Sequence, residues 1–140
     1  MAVLPSIVID TNVWISSFLW SSKTLDAVLT IAKTKFQIIG SHETLAEIAA
    51  TFSKPKFTSK MSFKERQLLF DIVVRNTLIV EICETVSDCR DPRDNKFLEL
   101  AVSGGANQII TGDGDLLALH PWRGVSILTP RQFVEANALP

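Results

Sequence analysis

The chain has 140 residues, of which 46% are hydrophobic and 21% charged, and its formal net charge is −1. These values are ordinary for a globular protein, so we expect residues 1–140 to form a single domain. No apolar run reaches the ~18 residues of a membrane-spanning helix, and the N-terminus lacks the basic start of a secretory signal. A cytoplasmic protein that does not contact the membrane is therefore predicted.

Short apolar runs alternate with amphipathic segments along the chain, which predicts an α/β fold with a mainly parallel sheet of about four or five strands. The predicted strands are Ile7–Ile9, Phe36–Ile39, Leu78–Ile82, Gln108–Thr111 and Val125–Leu128. The predicted helices are Asn12–Leu19, Leu25–Ala32, His42–Phe52, Ser62–Arg75, Asp91–Gly104, Leu116–Leu119 and Thr129–Val134. The segment Glu84–Arg90 is polar and is predicted to be a loop.

Two aspartates, Asp10 and Asp113, each follow directly after an apolar strand. Since the carboxyl ends of parallel strands meet at one edge of a sheet, and ligands bind in the crevice beyond that edge, we expect both carboxylates there. Asp94 lies at the start of the helix that precedes the strand leading to Asp113. Glu47 lies in the middle of a helix and reaches the same crevice if that helix packs beside the first strand.

Converging carboxylates suit a hard divalent cation, because magnesium prefers oxygen ligands. Without a metal such carboxylates repel one another, and some take up protons. With one or two metal ions, the cluster can activate a water molecule and stabilise the charge that builds on a phosphodiester. The sequence offers no GxSxG elbow, Cys/His pair or phosphate-binding glycine loop that would favour another chemistry.

Taken singly, each acid also fits an ordinary structural role, with Asp10 as a helix cap and Asp113 as a turn residue. The prediction of a metal site therefore depends on the set. Asp91 suits a helix cap better than a metal ligand. Glu43 lies one turn before Glu47 and offers the same chemistry, so the choice between the two glutamates stays open at this stage.

A basic stretch, Lys54–Arg66, contains a single acid, Glu65. Such a stretch attracts a phosphate backbone, although a solvated helical surface explains it equally well. The candidate RNA-binding residues in it are Lys54, Lys56 and Lys60.

Several other residues carry weaker signals. Cys83 and Cys89 do not match a zinc spacing and are predicted to be free thiols. Among the aromatic residues near the first helix, either core packing or a groove for a partner is consistent with the sequence, with core packing favoured. These aromatic residues are Trp14, Phe18 and Trp20.

Four segments resemble the motifs of PIN-domain proteins, in the right order. They are residues 7–16, 41–48, 91–101 and 111–117, which carry Asp10, Glu47, Asp94 and Asp113 respectively. The resemblance is greatest to the prokaryotic toxins of toxin–antitoxin pairs, the VapC-like ribonucleases. At the second motif it favours Glu47 over Glu43.

This resemblance implies a three-layer α/β/α fold, with Mg²⁺ or Mn²⁺ bound at the four acids and cleavage of single-stranded RNA. It also implies inhibition by an antitoxin protein and assembly into a homodimer. Asn12 and Thr111 would support the acids through hydrogen bonds. Asp115 would either bind the metal as a further ligand or interact with the residues that bind it.

Two other functions are compatible with parts of the sequence. A haloacid-dehalogenase-like phosphatase shares Asp10 after a strand and the Gly112-Asp113-Gly114 turn, but Asn12 occupies the position where that plan needs a second aspartate. A non-catalytic module that binds RNA or protein is the other alternative.

Overall fold

The strands form one central sheet in a computed structural model that describes residues 3–20 and 22–137. They are β1 (Ser6–Ile9), β2 (Gln37–Gly40), β3 (Leu78–Ile79), β4 (Ala106–Ile110) and β5 (Ser126–Leu128). The strand order is β3-β2-β1-β4-β5, and all neighbouring strands pair in parallel. The central strands β1 and β4 are therefore neighbours, and both end at the same edge of the sheet.

Helices cover both faces of this sheet. In chain order they are α1 (Thr11–Leu19), α2 (Lys23–Lys35), α3 (His42–Phe52), α4 (Pro55–Thr58), α5 (Phe63–Arg75), α6 (Asn95–Gly104), α7 (Gly114–Leu117) and α8 (Pro130–Asn137). A 3-10 turn, Pro92–Asp94, leads into α6.

Side chains alternate along each strand and so build two hydrophobic cores. Ile7 and Ile9 of β1 pack with α1, α2, α3, α5 and α8, whereas Val8 packs with α6 and α7 on the opposite face. The predicted three-layer α/β/α fold is therefore confirmed, with a sheet that is parallel throughout.

Some predicted bounds were wrong for identifiable reasons. The third strand stops at Ile79 instead of Ile82, because β2 ends at Gly40 and offers its last carbonyl to the Val80 amide at 2.8 Å. The second helix begins at Lys23 because the Ser22 hydroxyl caps the Leu25 amide.

The helix α4 was not predicted, since Pro55 was interpreted as the end of α3. Proline also fits the first position of a helix, where its missing N–H costs nothing, and Pro55 takes that position in α4. The helix predicted from Asp91 starts instead as the 3-10 turn, and α7 begins at Gly114, two residues earlier than predicted.

The aromatic residues near α1 do not behave alike. Trp14 is buried in the core and stacks on Phe18, with their ring centroids 6.1 Å apart. Trp20 is instead 63% exposed. Both cysteines are free thiols, Cys83 exposed and Cys89 buried. No helix in residues 3–20 and 22–137 is long and apolar enough to span a membrane.

The connection between α6 and β4 depends on one glycine. Gly105 ends α6 in the left-handed conformation, at φ 64°, and its amide donates to the Ala101 carbonyl. Glycine adopts this conformation without the steric cost that other residues incur. The tight reversal lets α6, which follows Asp94, return directly into the strand that leads to Asp113.

Candidate active site

The four predicted acids all line one crevice at the carboxyl edge of the sheet, with a volume of about 270 Å³. Five of its lining residues are acidic, two are basic and three are neutral and polar. The acids are Asp10, Glu47, Asp91, Asp94 and Asp113, the basic residues Lys54 and Arg93, and the neutral residues Thr11, Asn12 and Thr51. The surroundings of each acid differ, and these differences decide what each can do.

A buried threonine connects the two strand-end aspartates. The Thr111 hydroxyl donates to Asp10 Oδ2 at 2.7 Å and accepts from the Asp113 amide at 2.9 Å. The Asp10 amide donates to the Ile110 carbonyl at 2.9 Å, which fixes the end of β1 against β4. Asp10 and Asp113 are therefore held by the same two strands whose ends form the crevice.

Asp10 and Asp113 differ in whether their carboxylates cap the helix that follows. Asp10 occupies the N-cap position of α1, but its carboxylate makes no capping hydrogen bond. The Asp113 carboxylate does cap α7, since Asp113 Oδ2 accepts from the Leu116 amide at 3.0 Å. Asp113 thus combines a capping role with a place in the crevice.

Asp94 lies in the 3-10 turn before α6, close to the other two aspartates. Its partial burial, together with the negative charges of Asp113 and Asp10, raises the pKa of Asp94 to about 6. Burial also raises the pKa of Asp10, although the hydrogen bond from Thr111 opposes that shift. Burial is thus the largest cause of both shifts, and the neighbouring carboxylates add to the rise in each pKa.

Asp91 is occupied by its own neighbour. Its carboxylate accepts from the Arg93 amide at 3.0 Å and forms an ion pair with the Arg93 guanidinium at 2.9 Å. These hydrogen bonds hold the pKa of Asp91 below its ordinary value. Asp91 therefore acts as the cap of the 3-10 turn, as the sequence indicated.

Glu47 reaches the crevice from α3 with both of its carboxylate oxygens engaged. Oε2 accepts from the buried Thr11 hydroxyl, and Oε1 accepts from Lys96 Nζ at 2.9 Å. Glu43, one turn earlier, is exposed and does not line the crevice. The two glutamates are thus distinguished by position.

Lys96 was missed by the sequence reasoning. It lies in the first turn of α6, two residues after Asp94, and its partner Glu47 is 49 residues away along the chain. Its place within the third motif was the only available signal, and that signal carried no information about its partner.

The other residues predicted from the sequence have weaker connections to the four acids, or none. Asn12 lines the crevice, but within the described ranges its side chain makes no hydrogen bond to the acids. Asp115 does not line it. Lys54 does, whereas Lys56 and Lys60 line a separate, mainly apolar groove together with Trp20 and other residues.

Within residues 3–20 and 22–137, no three His, Cys, Asp or Glu side chains form a ready-made metal-binding group. The donor set still suits a hard cation, since it consists of oxygens and carries excess negative charge.

The carboxylates thus gather beyond the strand ends of a parallel sheet, at the edge where α/β proteins commonly bind their ligands. The PIN domain family matches residues 6–115, which include all four acids. The chain belongs to the PIN-domain family, as the sequence motifs indicated. PIN domains are typically nucleases and generally use divalent metal ions, so at the level of the family this is a hydrolase.

The chain is 30% identical to the uncharacterized protein MJ1680 of Methanocaldococcus jannaschii over 139 residues, which cover 92% of this chain and 89% of the relative. Two solved structures share the fold at low identity. A chain of VapBC2 from Rickettsia felis, bound to a DNA fragment from its promoter, has a TM-score of 0.63 and 11% identity, with 89% of this chain and 98% of that chain covered. PAE2754 from Pyrobaculum aerophilum has a TM-score of 0.64 and 15% identity, with coverages of 96% and 90%.

The raised pKa of Asp94 predicts a pH-dependent cost of folding without metal. Because the folded-state pKa of about 6 lies above the ordinary value of 3.8, the unfolded chain releases this proton first as the pH rises. Asp94 therefore removes stability between about pH 4 and pH 6. In EDTA, Asp94→Asn should be more stable than the parent above pH 6 and equal to it below pH 4, as measured by urea unfolding.

A matched control is Glu43→Gln, which alters an exposed acid outside the crevice and should follow the parent at every pH. Parallel pH profiles for Asp94→Asn and the parent would contradict the electrostatic account of the crevice.

The Thr111 hydroxyl gives a second prediction. Thr111→Val keeps the shape of this fully buried side chain but leaves Asp10 Oδ2 and the Asp113 amide without their partner. Loss of a buried hydrogen-bonding group costs about 1–3 kcal/mol, so the free energy of unfolding should fall by that amount in a urea titration. The same substitution at exposed Thr58 is the control and should change stability by less than about 0.5 kcal/mol. Equal effects at the two positions would show that the bridge contributes nothing.

Proposed function

We propose that this protein is an endoribonuclease that uses Mg²⁺ or Mn²⁺ to cleave single-stranded RNA, and that it is the toxin of a toxin–antitoxin pair. The observation that carries the proposal is the acidic crevice, in which partial burial and the neighbouring carboxylates raise the pKa of Asp94 to about 6. Membership of the PIN-domain family supports the hydrolytic chemistry.

In this proposal the metal ligands and catalytic residues are Asp10, Glu47, Asp94 and Asp113. A bound divalent ion would activate a water molecule and offset the charge that develops on the phosphodiester. Thr111 orients Asp10 through its hydroxyl and fixes Asp113 through its backbone amide. Asp94, whose pKa is about 6 without metal, would bind a cation in its deprotonated form.

The substrate assignment rests on the basic residues near the acids. Lys54 and Arg93 line the crevice beside the carboxylates, where they would contact RNA phosphates. Lys56 and Lys60 line the groove beside the exposed ring of Trp20, and ammonium groups next to an accessible aromatic ring suit a single strand with unstacked bases. These contacts support single-stranded RNA over a duplex, whose bases are not open to stacking.

The likeness to a chain of VapBC2 supports the assignment as a toxin, although at 11% identity it shows only the shared fold. We therefore place an antitoxin protein and a second copy of this chain among the proposed partners. Its RNA substrates would be met in the cytoplasm.

Neither alternative function gains support from a specific observation. The phosphatase plan needs a second aspartate two residues after Asp10, and Asn12 occupies that position in the crevice. A purely binding module would not require four acids to share one crevice, with the electrostatic cost that their proximity brings.

Cleavage of a panel of single-stranded oligonucleotides tests the nuclease. Asp10→Asn and Asp113→Asn should each lower the Mn²⁺-dependent rate on RNA at least about 100-fold, because each removes a charged ligand. Glu43→Gln is the matched control and should cleave like the parent, while Glu47→Gln should be impaired. The parent should be inactive in EDTA and should cleave RNA in preference to DNA of the same sequence.

Unchanged Mn²⁺-dependent cleavage by both aspartate variants, with folding verified by circular dichroism, would overturn the nuclease assignment. If the parent cleaves DNA as fast as RNA, the assignment of RNA as the substrate is wrong, whereas the proposed metal site is not contradicted.

Induction in cells tests the toxin assignment separately. Expression of the parent should arrest growth, and Asp10→Asn should not, because arrest requires cleavage. Co-expression with the product of the adjacent gene should restore growth. If the protein cleaves RNA in vitro but its induction leaves growth normal, the toxin assignment is wrong and the nuclease assignment stands.

A further inference from the structure

The ion pair between Glu47 and Lys96 differs from every other contact of the four acids. Lys96 Nζ lies 2.9 Å from Glu47 Oε1, and the two side chains are 20% and 29% exposed. Lys96 reaches Glu47 from α6 and does not itself line the crevice. The Thr11 hydroxyl holds the other carboxylate oxygen.

The three aspartates lack such a partner. Within residues 3–20 and 22–137, Asp10, Asp94 and Asp113 form no ion pair with lysine or arginine, and Arg93 is paired with Asp91 instead. Asp10 and Asp113 are held by neutral donors, the Thr111 hydroxyl and the Leu116 amide. Glu47 is therefore the proposed ligand whose charge the protein itself neutralises.

We propose that Lys96 is an internal counter-cation that competes with the divalent ion for Glu47. The inference rests on the proposed function, since it takes Glu47 as a ligand of the metal. An ammonium at Oε1 repels an incoming cation and occupies an oxygen that the cation would use. Lys96 thus stabilises the metal-free crevice and weakens metal binding.

The opposite role, in which Lys96 aims Glu47 at the metal, is disfavoured by the remaining contacts. The Thr11 hydroxyl donates to Oε2 independently of Lys96, so this contact would remain when Lys96 is removed. The Thr51 hydroxyl donates to the Glu47 carbonyl at 2.8 Å within α3, so the backbone position is also fixed. Loss of Lys96 would consequently remove repulsion without releasing the carboxylate.

The test measures Mn²⁺ affinity of the full chain by calorimetry, without RNA. Lys96→Met should bind Mn²⁺ about tenfold more tightly than the parent, because a charge next to a ligand is removed. Lys96→Gln, which keeps a hydrogen-bond donor without the charge, should show the same gain. Lys96→Arg should stay within about twofold of the parent, because it retains the charge.

Two controls separate this pair from general electrostatics. Lys54→Met removes a lysine that lines the crevice but forms no ion pair with an acid in the described residues, and it should change Mn²⁺ affinity less than about threefold. In a Glu47→Gln background, Lys96→Met should bring no further gain, as a double-mutant cycle would show.

Thermal unfolding gives a readout that does not depend on metal affinity alone. In EDTA, Lys96→Met should unfold at a lower temperature than the parent, because Glu47 loses its counter-ion beside other acids. With saturating Mn²⁺ the difference should shrink or reverse. A purely structural ion pair would lower the unfolding temperature equally in both conditions, and that result would overturn the competition.

Asp94→Asn separates a failure of this inference from a failure of the metal site. If Asp94→Asn weakens Mn²⁺ binding at least tenfold while Lys96→Met and Lys96→Gln bind no more tightly than the parent, the competition is wrong and the metal site stands. If Lys54→Met raises the Mn²⁺ affinity as much as Lys96→Met does, the gain comes from general electrostatics and the competition for Glu47 is wrong. If Asp94→Asn binds Mn²⁺ like the parent, the metal site and the competition both fail.

Discussion

Mutual repulsion of carboxylates at the carboxyl edge of the sheet is the constraint on which the rest of this structure depends. The topology makes the crowding unavoidable, because β1 and β4 are neighbours and end together, with Asp10 and Asp113 at their tips. The protein accommodates the charge by different means at each acid. Asp10 is buried under a hydroxyl donor, Asp94 shifts toward its protonated form, and Glu47 is given a lysine.

These means have different consequences for a cation. A hydroxyl donor leaves the carboxylate its charge, so Asp10 remains an attractive ligand once a metal arrives. A proton on Asp94 is exchanged readily, since its pKa of about 6 lies near neutral pH. A lysine is attached to the chain and cannot leave. In the proposed metal site, the aspartates would therefore accept a cation more readily than Glu47, whose charge Lys96 already neutralises.

The sequence was most informative where a residue's role follows from its local neighbourhood. Asp10 and Asp113 could be placed because each ends an apolar strand, and parallel strands bring such ends together. Asp94 followed from its position at a helix start. Glu47 could not be separated from Glu43 by spacing alone, because both project from the same helix one turn apart, and only the motif resemblance chose between them. The split between Lys54 and the pair Lys56 and Lys60 was also out of reach, since it depends on where α4 directs each side chain.

The ion pair between Glu47 and Lys96 also connects two helices that pack on opposite faces of the sheet. Glu47 belongs to α3, which packs on one face of the sheet, and Lys96 belongs to α6, which packs on the other. The ion pair therefore links the two helical layers directly at the carboxyl edge of the sheet. Whatever draws Glu47 away from Lys96 would therefore also break this direct link between the two helical layers.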